Sequence, residues 1–237
     1  MAAGDPMNGK NLVFTSDPFA FASICPINPL NMRACNTTPQ TSAQALQRLG
    51  TLDIIRDAYF DLEPVSVTSQ EVNLRAVFPG TTFVPQGQTA DTPIHCYWVP
   101  YRSHGVQGVG IGNVPFVDLP TVGPLYPLML TGAMNGCSLV ITIPVGAVNS
   151  IRVYHDSMHQ AATFAGENVV ARLDFDNSLG SPHFYGDLAN PTSFNFMYFK
   201  TGHWWVVSQP QTAVAGVGGS FKVSLRTAKM PFEFQVT

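Results

Sequence analysis

Two histidines have the spacing that comes closest to a metal site in this sequence. His155 and His159 are four residues apart in the segment HDSMH, so on a helix the two side chains would share a face and could share an ion. His155, however, ends a stretch that alternates like a strand, and the glutamate of a His-Glu-x-x-His zinc motif is absent. We therefore interpret the pair as a polar loop at a strand end and predict no metal ligands.

Three aspartates are the candidates for acid–base chemistry, which requires carboxyl groups placed close together. Asp174 and Asp176 lie on the same face of a predicted strand, and Asp187 follows further along the chain. Because that face is the polar one, we predict a solvated or interface-facing edge rather than a catalytic pair.

The glycine-rich stretch over 105–112, GVQGVGIG, is the only candidate for a phosphate-binding loop. It is not a GxGxxG motif between a strand and a helix, and the chain contains neither Gly-Lys-Ser/Thr nor Gly-x-Ser-x-Gly. The sequence therefore predicts no catalytic residues, no cofactor-binding residues and no cofactor, and a protein that is not an enzyme.

Aromatic residues near the C-terminal half suggest a binding role as an alternative. Trp204, Trp205, Tyr185 and His183, if exposed, would suit a jelly-roll module that binds a carbohydrate or another ligand. Stacking on nucleic-acid bases is disfavoured because few basic residues lie nearby. For the two tryptophans, packing or an inter-subunit contact is the preferred interpretation.

The composition indicates a surface that other chains cover. Charged residues make up 11% of the 237 residues, whereas about 25% is usual. A neutral surface rich in Ser, Thr, Asn and Gln is the alternative explanation. The net charge is −3 and no Lys/Arg cluster occurs, so a basic arm that grips nucleic acid is excluded.

The chain shows no signal for membrane insertion or for an oxidising compartment. No signal peptide is evident, and no apolar run reaches the ~18 residues of a membrane span. The four cysteines, at positions 25, 35, 96 and 137, form no Cys-x-x-Cys pair. Cys96 and Cys137 lie in strand-like patterns, where a free cysteine behaves as a small buried hydrophobe.

The sequence predicts a division into an N-terminal arm and helix over 1–69 and a jelly-roll β-sandwich over 70–237. Residues 1–40, rich in Pro, Asn, Thr and Ser with scattered Phe14 and Phe21, predict an extended arm. That arm either lies on another subunit or wraps its own domain. Residues 42–59 have apolar side chains at helical spacing behind a possible Ser42 cap, which predicts one short amphipathic helix.

Short alternating segments fill the rest of the chain, with no helices between them. Such a pattern predicts an all-β fold, an eight-stranded antiparallel jelly-roll sandwich. The long segments over 102–136 and 177–192 are predicted to be loops at the ends of the sandwich. The predicted core comprises Leu139, Ile141, Val169, Leu173, Phe221, Val223 and Leu225.

Two segments, with the low charge and the arm, resemble a capsid protein of the picorna-like viruses. The helix segment TSAQALQRLGTL over 41–52 is similar to an amphipathic segment that precedes the β-structure in insect-virus relatives. The closing MPFEFQV over 230–236 resembles the last strand of that family, although Met230-Pro231-Phe232 stands where the family has acidic residues.

The resemblance implies a structural subunit of an icosahedral shell around an RNA genome. Its partners would be sibling capsid proteins, viral RNA on the inner surface without a basic arm, and a host receptor. The expected location is the virion, and the host cytoplasm during assembly. The genus, the host, the position in the shell and the orientation of the arm stay open.

Overall fold

The computed structural model describes residues 9–34, 49–66, 68–78, 91–102, 107–178, 180–216 and 220–236. The helices are α1 (Lys10–Ser16) and α2 (Pro18–Ile24). The strands are β1 (Ile27–Ala34), β2 (Asp57–Pro64), β3 (Val72–Val77), β4 (Ile94–Val99), β5 (Phe116–Pro120), β6 (Leu128–Thr131), β7 (Met134–Asn135), β8 (Ser138–Ile143), β9 (Ser150–Asp156), β10 (Asn168–Leu173), β11 (Thr192–Lys200), β12 (His203–Ala215), β13 (Phe221–Leu225) and β14 (Phe232–Gln235).

The strands form two sheets. The long sheet has the order β1-β3-β2-β4-β6-β11-β12-β13, with β14 also on β12 and β7 on β11, and the small sheet has the order β10-β8-β9-β5. The predicted all-β class is therefore confirmed. The described strands outnumber the eight predicted, and β1–β3 and β4–β6 pair in parallel. β6 runs parallel to β4 because the chain leaves the long sheet to form β5 and then returns beside β4.

The centre of the long sheet is buried on both faces. Phe194, Phe196 and Tyr198 of β11 point into a core that also holds Phe14 and Phe21 of the helices. Met197, between them, points into a second core against the small sheet. Alternating side chains thus fill two separate cores, one inside the curled long sheet and one between the long and small sheets.

The two ends of the long sheet meet through side chains. Asn28 and Asn31 of β1 donate to the carbonyl oxygen of Phe221 at 2.9 and 2.6 Å, and Asn31 accepts from the Phe221 amide at 2.8 Å. The Val223 amide donates to Glu71 at 3.0 Å. These contacts satisfy backbone groups of β13 that a neighbouring strand would otherwise take.

The N-terminal segment packs on its own domain, which was one of the two alternatives for the predicted arm. Described residues 9–34 form two helices and a strand rather than an extended arm, and Phe14 and Phe21 are buried. Gln209 of β12 accepts from the Ile27 amide at 2.8 Å and donates to the carbonyls of Ala22 and Cys25 at 2.6 and 2.8 Å.

The sheet also crosses the predicted boundary between residues 69 and 70. β1 and β2, which lie before it, both pair with β3, which lies after it. The N-terminal region and the β-sandwich therefore share one sheet.

The helix predicted over 42–59 does not extend to residue 59 in the structure. Residues 42–48 lie outside the described residues, positions 49 and 50 are helical, and a 3-10 turn follows at Thr51–Asp53. β2 begins at Asp57. Ala58, Phe60 and Leu62 are buried with a period of two, and this strand pattern prevails over the helical stripe that included Tyr59.

The predicted loop over 102–136 also contains three short strands, because β5, β6 and β7 lie within its described residues. Of the predicted core residues, Leu139, Ile141, Leu173 and Val223 are buried. Val169 and Phe221 are about two-fifths exposed and Leu225 is half-buried, so these three predictions were wrong. Val169 lies on the edge strand β10 beside a register shift, and Phe221 lies where the sheet ends meet.

Among the described residues, no helix has the length and apolar character needed to span a membrane.

Candidate protein-binding surface

The two histidines singled out in the sequence do not face a common ion. His155 is fully buried at the end of β9, and its Nδ1 lies 2.8 Å from Thr131 Oγ1. Burial lowers the pKa of His155 to about 3. His159 follows in the loop, with its Nδ1 2.6 Å from Ser138 Oγ. In the described part of the chain, no three His, Cys, Asp or Glu side chains are grouped to hold a metal.

Asp174 is buried, which corrects the prediction of a solvated polar edge. Its Oδ1 accepts from Ser138 Oγ at 2.5 Å and from Arg172 Nε at 2.8 Å, and His159 Nδ1 lies 3.4 Å away. Asp176 Oδ1 is 3.5 Å from His159 Nε2. The cluster contains a serine, a histidine and carboxylates, but Ser138 is fully buried and its hydroxyl is engaged by Asp174. We interpret the cluster as an ion-pair network that ties two loops to β8.

The aromatic residues proposed for carbohydrate binding do not form an exposed platform. Trp204 and Tyr185 are buried. The Trp204 indole donates to the Pro120 carbonyl at 2.8 Å, and the Tyr185 hydroxyl donates to the Cys137 carbonyl at 2.8 Å. His183 stacks on Phe234 with ring centroids 3.6 Å apart. These contacts remove the surface that motivated the carbohydrate hypothesis.

A different set of aromatic side chains is gathered at the surface on β2 and β4. In their antiparallel register Asp57 pairs with Tyr97, and Tyr59 pairs with His95. The residues between them point inward and are buried, so these four side chains share the outer face. The His95 ring lies 3.9 Å from the Tyr59 ring and 3.8 Å from the Tyr126 ring. We call Tyr59, His95, Tyr97 and Tyr126 the aromatic patch.

An open pocket of about 390 Å³ adjoins the aromatic patch, where β5 of the small sheet approaches β4. It is lined by Arg56, Asp57, Tyr97, Phe116, Val117, Asp118, Leu125 and Tyr126. The pocket therefore combines aromatic walls with charged groups of both signs.

The charged groups beside the pocket are held in place by specific contacts. Arg152 forms two hydrogen bonds with Asp118, at 2.6 and 2.9 Å, and its guanidinium lies 3.9 Å from the Phe116 ring centroid. The hydrogen bonding of the Arg152 guanidinium to the Asp118 carboxylate raises the pKa of Arg152. Asp57 Oδ2 lies 3.2 Å from His95 Nε2, and Asp57 remains more than half exposed. Oriented aromatic and guanidinium groups of this kind suit a protein contact.

Reasoning from the sequence missed the aromatic patch because it placed Tyr59 on a helix. The alternation of Ala58, Phe60 and Leu62 is the signal that could have found β2. The alternation of Ile94, Cys96 and Trp98 with His95 and Tyr97 did indicate the strand β4. That Tyr126 closes the stack follows from the tertiary structure alone.

The family model described as the Mcf1 activator-binding domain matches residues 40–237. The chain belongs to this family. The match includes every residue of the aromatic patch and of the pocket, whereas α1, α2 and β1 precede it. The search of curated proteins found no match.

Proposed function

We propose that this chain acts by binding another protein, and that the aromatic patch and its pocket form part of the contact surface. The stack of Tyr59, His95 and Tyr126 beside the pocket is the observation that carries the proposal. The name of the family supports it, since it describes a domain that binds an activator. In this proposal the chain works by association and not by catalysis.

The composition of the surface supports the same proposal. Tyrosine and arginine are enriched among the residues that dominate protein–protein binding energy. Here two tyrosines and Arg56 line the pocket, and Arg56 is oriented by the carbonyls of Ile54 and Ile55. Arg152, which binds the pocket residue Asp118, is also held in place. Groups fixed before binding lose little conformational entropy when a partner docks.

The test compares a Tyr59→Ala/Tyr126→Ala variant with a Phe221→Ala control. Tyr59 and Phe221 are similarly exposed, at 43% and 40%, but Phe221 lies on β13, outside the aromatic patch. Proteins captured on the immobilised wild-type chain are identified, produced in recombinant form and titrated calorimetrically against all three proteins. We expect the patch variant to bind at least about 30-fold more weakly, which corresponds to ~2 kcal/mol.

Equal affinity of the patch variant and the control would contradict the proposal for this surface. If no purified protein binds the wild-type chain, a binding function itself is contradicted. Circular dichroism of each variant shows whether a loss of binding reflects a loss of fold.

A capsid subunit is the second candidate function, and we propose it on a separate observation. The low content of charged residues accompanies apolar side chains that are more than two-thirds exposed on loops, among them Val109, Val145 and Leu188. Neighbouring subunits of a shell would cover such side chains. This proposal includes the finer jelly-roll assignment, sibling subunits, an enclosed RNA genome, a host receptor and a location in the virion.

Sedimentation and electron microscopy distinguish the two candidates. A capsid subunit, alone or produced with its siblings, forms large symmetric particles. A chain that stays monomeric at high concentration contradicts the capsid proposal and leaves the binding proposal intact.

A further inference from the structure

Two neighbouring loops at one end of the small sheet carry apolar side chains that project into solvent. Val145 and Val148 lie in the turn between β8 and β9, and their residues are 99% and 82% exposed. Val122 and Leu125, in the loop after β5, are 69% and 75% exposed. We call these four residues the apolar tip.

The two loops are held side by side. Pro120 pairs with Ser150 where β5 and β9 end, and the Thr121 amide donates to the Asn149 carbonyl at 2.9 Å. Gly146 at φ 77° and Asn149 at φ 58° close a tight turn that holds Val145 and Val148 at the end of the hairpin. The apolar tip is therefore part of one connected surface.

Neither loop contains a charged residue. The segments over 119–128 and 143–151 consist of apolar, small and uncharged polar residues only. The charges that immediately flank them, Asp118 and Arg152, neutralise each other through two hydrogen bonds of 2.6 and 2.9 Å. Transfer of the apolar tip to an apolar medium would therefore desolvate no unpaired charge on these strands.

We propose that the apolar tip inserts into the surface of a lipid bilayer and holds the domain there peripherally. A projecting turn with an almost fully exposed valine fits a medium that deforms around it, whereas a protein partner would have to provide a matching cavity. Burial of these side chains among the headgroups and acyl chains supplies the binding energy. The absence of charge in both loops means that zwitterionic lipid is sufficient. This inference goes beyond the proposed protein binding and does not depend on it.

The test measures co-sedimentation of the full chain with phosphatidylcholine vesicles. We expect the wild-type chain to bind and a Val145→Asp/Val148→Asp variant to bind at least about tenfold more weakly. The matched control is Leu188→Asp, because Leu188 is 83% exposed on a loop outside the apolar tip. Leu125 is left unchanged because it also lines the pocket.

A second measurement reports insertion directly. The fluorescence of a Val145→Trp variant should shift to shorter wavelength with vesicles and be quenched by lipids brominated in their acyl chains. The wild-type chain serves as the reference, because Trp98 and Trp204 are buried and Trp205 is half-buried. Circular dichroism verifies that every variant is folded.

Several results would overturn the inference. The first is that the wild-type chain does not bind vesicles, and the second is that the Leu188→Asp control loses as much vesicle binding as the valine variant. The third is that brominated lipids do not quench the fluorescence of the Val145→Trp variant. If the wild-type chain does not bind vesicles and the Val145→Asp/Val148→Asp variant no longer binds a purified protein partner, the apolar tip is a protein interface. The Tyr59→Ala/Tyr126→Ala variant should keep vesicle binding, which separates this test from that of the proposed function.

Discussion

At the scale of single residues, two buried titratable side chains respond to pH in opposite directions. Asp61 of β2 accepts a hydrogen bond from Asn11 Nδ2 at 2.7 Å, and its Oδ2 has no hydrogen-bond partner among the described residues. Burial, followed by the nearby carboxylates of Asp91 and Glu63, raises the pKa of Asp61 from 3.8 to about 6. Above pH 6 the folded state therefore holds a carboxylate that it disfavours.

We predict that Asp61→Asn stabilises the protein at pH 8 by about 1–3 kcal/mol. The carboxyl group is harder to ionise in the folded than in the unfolded state, so its ionisation costs stability as the pH rises from 4 through 6. The free energy of unfolding in urea, measured at pH 8 and pH 4, checks this, and the gain should disappear at pH 4. Asp53→Asn, at an exposed position, is the control. A variant that is less stable at pH 8 would contradict the prediction.

His155 is expected to remain neutral in the folded protein well below pH 6. Thr131 Oγ1 donates to the Val99 carbonyl at 2.9 Å, so it accepts from His155 Nδ1, and His155 Nε2 has no hydrogen-bond partner within the described ranges. Burial lowers the pKa of His155 from 6.5 to about 3. Between pH 6.5 and pH 3 His155 is therefore protonated in the unfolded chain but neutral in the folded protein. The free energy of unfolding decreases as the pH falls through this range.

Nitrogen-15 NMR of the histidine rings measures this directly. The His155 signals should stay those of the neutral ring down to pH 4.5, and its contribution to stability should fall by about 2 kcal/mol between pH 7.5 and pH 5. His203, which is exposed, provides the comparison. Protonation of His155 near pH 6 in the folded protein would show that its site is hydrated.

At the scale of elements, apolar residues at the two ends of a single strand contribute differently to stability. Leu173, at the end of β10, is fully buried between the sheets, whereas Val169 at the start of β10 is 39% exposed. The alternation of apolar residues along an edge strand therefore does not show which end of the strand the opposite sheet covers.

We predict that Leu173→Ala costs about 2–5 kcal/mol of stability, since it removes side-chain atoms from a closed core and leaves a cavity. Ile141→Ala should behave in the same way, because Ile141 faces the same core. Val169→Ala, on the exposed part of the edge strand, should cost less than about 1 kcal/mol. Denaturant unfolding of the three variants checks the order. A similar cost for Leu173 and Val169 would mean that the two sheets do not pack as described.

At the scale of the whole molecule, the N-terminal segment completes the core inside the long sheet. The Phe14 ring contacts both Phe21 and Phe196, with centroids 5.6 and 5.3 Å apart. The amide of Gln209 is fully buried and bonded to the backbone of this segment. Removal of the segment would expose one core and leave a buried amide without partners.

We therefore predict that deletion of residues 1–30 abolishes cooperative unfolding of the domain. An arm that lay only on another subunit would instead leave the remaining β-sandwich folded after its deletion. Phe21→Ala should cost about 3–5 kcal/mol, whereas Ile24→Ala, on the same helix but 65% exposed, should cost less than about 1 kcal/mol. Circular dichroism with thermal unfolding checks all three. If the truncated protein is stable and unfolds cooperatively, the N-terminal segment is not needed for the core.

The amino-acid sequence by itself determined the all-β class and the inward faces of several strands. Alternation in β4 and β8 predicted that Cys96, Leu139 and Ile141 are buried, and the lack of intervening helical patterns excluded a parallel α/β sheet. These features are predictable because the alternation of side chains is a property of a single strand.

Only the tertiary structure decided which polar and aromatic side chains meet. Asp174 is buried because Ser138 and His159 arrive from elsewhere in the chain to meet it. Likewise, Tyr126 reaches the ring of His95 only because the chain after β5 returns to the long sheet and forms β6 beside β4. The physical reason is that burial and side-chain contact depend on segments far apart in sequence, and local periodicity carries no information about which of them pack together.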